Sequence, residues 1–140
     1  MADGANFIGA SSMRGAVSEK PGEPLEIREL RLANLASDDV IVRIQATSLC
    51  HTDLEAVDGH LDTPLPFVPG HEAAGIVEWT GSSVYRLSVG DHVALSWNPH
   101  CGHCYFCSHE QFILCEQYRA NGVRSMHFDG KARIFDGKQP

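Results

Sequence analysis

Basic charge is what this sequence is short of. Eleven Lys and Arg stand against 18 Asp and Glu, a formal net charge of −7 over 140 residues. That balance excludes phosphate-backbone binding as the main task, because nucleic-acid binders carry a basic face. Long apolar runs are also missing: nothing approaches the roughly 20 residues that span a bilayer as a helix. The opening "MADGANFIGA" places Asp3 early and has no basic region before an apolar stretch, so it does not read as a secretory signal. The expected compartment is the cytoplasm, with no membrane partner and no nucleic acid. There is no internal repeat and no low-complexity tract. None of the 13 glycines forms G-x-G-x-x-G, so no dinucleotide-binding fingerprint is present.

What is present is globular in character. Hydrophobic residues make up 43% and charged ones 21%, close to the average of folded domains. The first 12 residues read as an irregular lead-in. A strand is expected from Leu25 to Leu32, after a Pro21-Gly22 turn. In "DDVIVRIQATSLC", Val40, Val42, Ile44 and Ala46 alternate with Ile41, Arg43 and Gln45, the period of two of a half-buried strand. A short helix follows in "HTDLEAVDGH", with Thr52 or Asp53 as cap and Gly59 as stop. The three prolines of "TPLPFVPG" forbid regular helix or central strand. "HEAAGIVEWTG" and "GDHVALSW" read as two further strands. Beyond Cys115 the tail offers Gly-rich turns and little periodicity. The sum is a mainly β, barrel-like domain with short helices.

The cysteines are unevenly spread. Four of the five fall in "NPHCGHCYFCSHEQFILC" as C-x2-C-x2-C-x7-C: Cys101, Cys104, Cys107 and Cys115. In a reducing compartment such clusters bind metal more often than they form disulfides, and an odd count does not fit full pairing. Thiolates two residues apart on a tight turn converge on one ion about 2.3 Å away, as tetrahedral zinc requires. Gly102 permits the turn between the first two ligands. Four protein ligands leave no open position, so this zinc would be structural. An iron–sulfur pattern would close with C-x3-C-Pro, whereas the last gap here is seven residues. A thioredoxin-like C-x-x-C would need a βαβ context that the pattern lacks. Buried free thiols are the bland alternative, and the regular spacing speaks against them. His100, His103 and His109 stand nearby as spectators.

The fifth cysteine lies in "SLCHTDL", and about twenty residues on comes "PGHEAAG". Cys50 and His71 offer a thiolate and an imidazole, half of a metal site, and Glu72 either supplies a carboxylate or stands just outside as a switchable ligand; a catalytic zinc keeps three protein ligands and an open fourth position. Taken alone, each also fits an ordinary structural role: a small buried thiol, or a histidine hydrogen-bonded to its neighbour. "HEAAG" is not H-E-x-x-H, since Gly75 stands where the second histidine belongs, and "GHEAAG" lacks the Lys-Ser/Thr of a P-loop.

"CHTDL", "PFVPGHEAAGIVEWTG" and "VGDHVALSWNPHCGHCYFCSHEQFILC", in that order, resemble the zinc-containing alcohol dehydrogenases of the medium-chain dehydrogenase/reductase family. The resemblance covers residues 13–140. It implies a GroES-like, partly open β-barrel catalytic domain with a structural-zinc lobe over 98–116, and a Rossmann domain that this chain does not contain. It further implies oxidation of alcohols to aldehydes or ketones by zinc-alkoxide formation and hydride transfer to NAD or NADP, with two zincs per intact subunit. Small-molecule alcohols and aldehydes would be the substrates, and the intact enzyme would be a homo-oligomer, a dimer or tetramer.

Residue by residue, the resemblance places Cys50 and His71 as catalytic-zinc ligands, with Glu72 beside the metal as an exchangeable one. It makes Thr52 the hydroxyl of a proton relay and Asp53 the carboxylate orienting the ligand histidine. It sets His51 near the cofactor's pyrophosphate and Leu61 and Trp97 on the substrate pocket. Cys101, Cys104, Cys107 and Cys115 match the structural site. Glu55 stands where some relatives carry a relay histidine. The family's third cysteine ligand of the catalytic zinc falls beyond Pro140, so this chain alone is expected to be inactive. A stand-alone zinc-binding β-module with an assembly or regulatory role is the alternative.

Overall fold

The computed structural model describes residues 7–121 and 127–137. Among the described residues, six strands form two three-stranded sheets, accompanied by a few short helices. The chain divides into two compact units. One comprises Met1–Asn34, Glu55–Pro69 and Asn98–Pro140, the other Leu35–Leu54 and Gly70–Trp97. No helix among the described residues is long and apolar enough to cross a membrane.

The first unit is built on β1 (Phe7–Val17), β2 (Glu26–Ala33) and β6 (Ile134–Phe135), in the order β1-β2-β6. Strand β1 begins at Phe7, inside the stretch expected to be irregular. Antiparallel pairing with β2, from Phe7 opposite Ala33 to Val17 opposite Glu26, satisfies a backbone that composition alone leaves unassigned. Val17, Leu30, Ala33 and Phe135 are buried and supply the apolar centre of this unit. Arg28 on β2 reaches Glu19, Glu26 and Asp136 at 2.7–2.9 Å. The two-residue strand β6 is thereby pinned by charge as well as by its ladder. The tail expected to be irregular thus holds β6, and also the short helix α3 (Glu116–Asn121).

The second unit carries β3 (Val40–Ser48), β4 (Glu72–Thr80) and β5 (His92–Ala94), ordered β3-β4-β5. Val77 on β4 is buried, but no residue of β3 is, and Ile44 is 47% exposed. The half-buried face expected of β3 forms only at its start: Val40 and Val42 are partly buried, whereas Ile44 and Ala46 are exposed. The register slips between Ile41 and Val42 and again between Ile44 and Ala46. Glu78 on β4 and Gln45 on β3 are the extra residues. Each bulge shifts the pairing by one, in opposite senses, so Ser48 ends opposite Glu72 in the register with which Val40 began opposite Thr80.

Helix α1 (His51–Val57) follows β3. It starts one to two residues before the expected cap. Asp53 acts from inside the first turn instead, its carboxylate accepting the Cys50 N–H at 3.0 Å, the reach-back half of a capping box. Tyr105–Ser108 forms α2, and Phe112–Leu114 a single 3₁₀ turn.

Candidate metal centres

The residues that order α1 also assemble a site. Asp53 is 7% exposed. One of its oxygens takes the Cys50 N–H; the other lies 2.9 Å from the Gly70 N–H and 3.1 Å from His71 Nδ1. A single buried carboxylate therefore fixes the strand end bearing Cys50 and the turn bearing His71. Gly70 sits at φ 107°, a conformation that side chains rarely adopt. With Nδ1 engaged by the carboxylate, His71 Nε2 keeps the free lone pair that ligation needs.

Glu72 opens β4 next to His71. Ligand atoms of Cys50, His71 and Glu72 lie within 4.8 Å of one another. Their electrostatics are coupled. Hydrogen bonding from the Thr52 N–H and hydroxyl, and then from His71, lowers the Cys50 thiol pKa, against burial and the Glu72 charge. Cys50 Sγ and Thr52 Oγ1 are 3.7 Å apart. Burial pulls His71 downward, but Cys50 and Asp53 outweigh it and its pKa rises. A thiolate and a carboxylate held side by side repel each other, and a shared cation relieves that.

Thr52 and Asp53 thus stand with Cys50, His71 and Glu72. His51 begins α1 and is exposed. Leu61 is 43% and Trp97 55% exposed. Glu55 is 3.3 Å from His60 Nδ1. Sequence reasoning missed Ser48, whose hydroxyl donates to the Glu72 carboxylate, and Thr47, whose Oγ1 lies 3.0 Å from the Glu72 carbonyl oxygen. Both act across the ladder, where sequence spacing gives no signal.

The second cluster is local. Sulfurs of Cys101, Cys104, Cys107 and Cys115 lie within 4.8 Å of one another, and all five cysteines of the chain are free thiols. Cys107 and Cys115 are buried, the other two partly so. Gly102 turns at φ 80° between the first two. Cys101 Sγ and Cys107 Sγ are 3.9 Å apart, against a tetrahedral edge of about 3.8 Å for Zn–S bonds of about 2.3 Å. The donor set and its spacing fit zinc.

Backbone amides aim at the sulfurs. Cys101 N is 3.3 Å from Cys115 Sγ, and Cys104 N is 3.4 Å from Cys101 Sγ. Amides of Glu116 and Cys107 lower Cys104 to about 6. Burial raises Cys115, but the amides of Tyr118, Cys101 and Gln117 outweigh it and its pKa falls. Burial pushes Cys107 up to about 12. Four thiols this close cannot all ionise without a cation. His103 turns its Nδ1 to the Cys101 carbonyl at 2.9 Å, outside the sulfur set.

A mainly β domain with a four-sulfur lobe and a separate Cys-His-Glu constellation defines a class, and comparison with known proteins gives it a family. The profile of the alcohol dehydrogenase GroES-like domain matches residues 36–134. The chain is 40% identical over 113 residues to an alcohol dehydrogenase of Geobacillus stearothermophilus, covering 79% of this chain and 34% of that one. It is 39% identical over 129 residues to the class-P alcohol dehydrogenase of Arabidopsis thaliana, covering 91% and 34% respectively. Among solved structures, an alcohol dehydrogenase zinc-binding domain protein from Burkholderia ambifaria superposes with a TM-score of 0.83 at 38% identity, over 93% of this chain and 35% of that one. Benzyl alcohol dehydrogenase from Acinetobacter calcoaceticus gives 0.82 at 34% identity, over 89% and 34%. The chain belongs to the alcohol dehydrogenase GroES-like domain family. It spans about a third of the length of the curated relatives it matches.

Proposed function

We propose that this chain is the zinc-binding catalytic portion of an NAD(P)-linked alcohol dehydrogenase, with Cys50, His71 and Glu72 at the catalytic metal and Cys101, Cys104, Cys107 and Cys115 at a structural one. The observation that carries it is the convergence of the Cys50, His71 and Glu72 ligand atoms within 4.8 Å, on a frame set by buried Asp53. Three protein donors leave room for an exchangeable fourth, whereas four sulfurs do not.

Cys50 and His71, with Glu72, would hold a zinc ion, which would supply Lewis acidity toward the oxygen of a substrate alcohol. Asp53 holds the His71 ring and tautomer through Nδ1, so that Nε2 faces the ligand set. Thr52, 3.7 Å from the Cys50 sulfur, is the proposed relay that would take the substrate's hydroxyl proton and pass it outward, a positioned transfer worth roughly 10²–10⁴-fold. The exposed Glu72 carboxylate is the proposed exchangeable donor of the set. His51 is the proposed contact for the cofactor's phosphates, and Trp97 and Leu61 the proposed apolar walls for the substrate. Hydride transfer belongs to the nicotinamide, held in the family's second domain.

Metal stoichiometry tests this reading. The full chain is expected to bind two zinc equivalents, one of which disappears in Cys50→Ala and in His71→Ala. Cobalt in that second site is expected to change its visible spectrum on addition of trifluoroethanol. One equivalent in wild type, unaffected by either substitution, would instead establish a β-module clipped by a single metal.

A further inference from the structure

Glu72 raises a difficulty that the ligand set alone does not resolve. Its side chain is exposed, and fixing a free glutamate costs rotamer entropy. Cys50, His71 and Asp53 are tied together by the buried carboxylate, but Glu72 is outside that network. It also carries the same charge as the Cys50 thiolate, which it opposes. Something else must hold it beside the sulfur.

The partner is on the neighbouring strand. Ser48 is the residue directly opposite Glu72 in the β3–β4 ladder, so the two side chains leave the same face at close range. The Ser48 hydroxyl donates to Glu72 Oε2. One residue back, Thr47 Oγ1 bonds the Glu72 carbonyl oxygen at 3.0 Å. Backbone and side chain of Glu72 are each gripped from β3. Ser48 is also two residues from Cys50, so the clasp and the thiolate ligand share one strand end.

We propose that Ser48 is a positioning residue of the candidate catalytic metal centre: its hydroxyl clasps the Glu72 carboxylate across the ladder and holds it in the ligating set beside Cys50 and His71. The inference rests on the reading that these three residues bind a metal. A carboxylate has acceptor capacity for both a hydroxyl donor and a cation, so the clasp orients the ligand without consuming it. Residues that orient metal ligands in this way change affinity by about 10–100-fold when removed. Ser48 is exposed, which places the expected effect at the lower end.

The test is competition titration of Zn²⁺ and Co²⁺ into the full chain and into Ser48→Ala, Ser48→Thr, Glu72→Gln and the Ser48→Ala/Glu72→Gln double variant. The four-sulfur equivalent serves as an internal control for folding. Ser48→Ala is expected to weaken the second equivalent roughly tenfold and to dim its cobalt absorption as a protein ligand gives way to water. Ser48→Thr, which keeps the hydroxyl, is expected to restore both. In the Glu72→Gln background, Ser48→Ala is expected to add no further loss. Two equivalents in wild type with Ser48→Ala unchanged, or an equal loss with and without Glu72, would overturn the clasp alone. A single equivalent in wild type would overturn the metal-site reading and the clasp together.

Discussion

The two candidate metal centres solve the same problem with opposite economies of chain. Cys101, Cys104, Cys107 and Cys115 come from one 15-residue stretch, two of them buried, with backbone amides aimed at their sulfurs. Cys50, His71 and Glu72 come from a strand end and from a turn twenty residues on, joined through one buried carboxylate. The first cluster uses local turns and offers four like donors. The second depends on tertiary placement and offers three unlike ones, one of them exposed. A site for holding a fold together benefits from enclosure and uniform ligands, while a site for chemistry needs an accessible edge and donors that can exchange.

That contrast makes the lobe the more costly to break. Cys107→Ala is expected to abolish the lobe's metal equivalent and to lower unfolding free energy by several kcal/mol, because structural zinc binding is itself folding energy. Zinc analysis with chelator-dependent thermal unfolding reads both, and an unchanged melting curve would remove the structural role. Cys50→Ala and His71→Ala are expected to abolish the other equivalent while shifting stability by only about 1 kcal/mol, measured on the same samples. A loss of lobe metal in these variants would erase the proposed division of labour.

Asp53→Asn sharpens the comparison. Asparagine keeps one acceptor oxygen but loses the charge facing His71 Nδ1. The second site's zinc affinity is expected to fall about 10–100-fold by competition titration, with lobe affinity unmoved. The smallest expected effect is at His103. It touches the Cys101 carbonyl and no sulfur partner, so His103→Ala is expected to leave lobe affinity intact and stability within about 0.5 kcal/mol. A clear drop in lobe zinc would recast that histidine as a ligand.

The same contrast governs what could be read in advance. The Cys101–Cys115 lobe was legible because spacing and geometry coincide: each turn between ligands is also a turn in sequence. Strands β2, β3 and β4 were legible from alternation and from the proline and glycine breaks around them. Strand β6 was not, because two residues carry no period, and its existence depends on pairing Arg31 with Phe135 and Leu32 with Ile134. The start of β1 was missed for the same reason, since "FIGASS" has no periodicity to set against its pairing with β2. In the Cys-His-Glu cluster the ligand types were legible but their convergence was not, since that depends on Asp53 reaching three partners. Ser48 was invisible altogether, because its relation to Glu72 exists only once the register is known.

That register has a parity. Glu78 and Gln45 each insert one residue into the β3–β4 ladder, and the second cancels the first. Were Gln45 drawn into the ladder instead of bulged out, the strands would still zip together, and the sheet would not betray the change. Every position downstream of it would nevertheless face the wrong way relative to β4, and Glu72 would meet Thr47 in place of Ser48. The alignment of the whole second centre therefore depends on one glutamine of β3 staying out of the ladder.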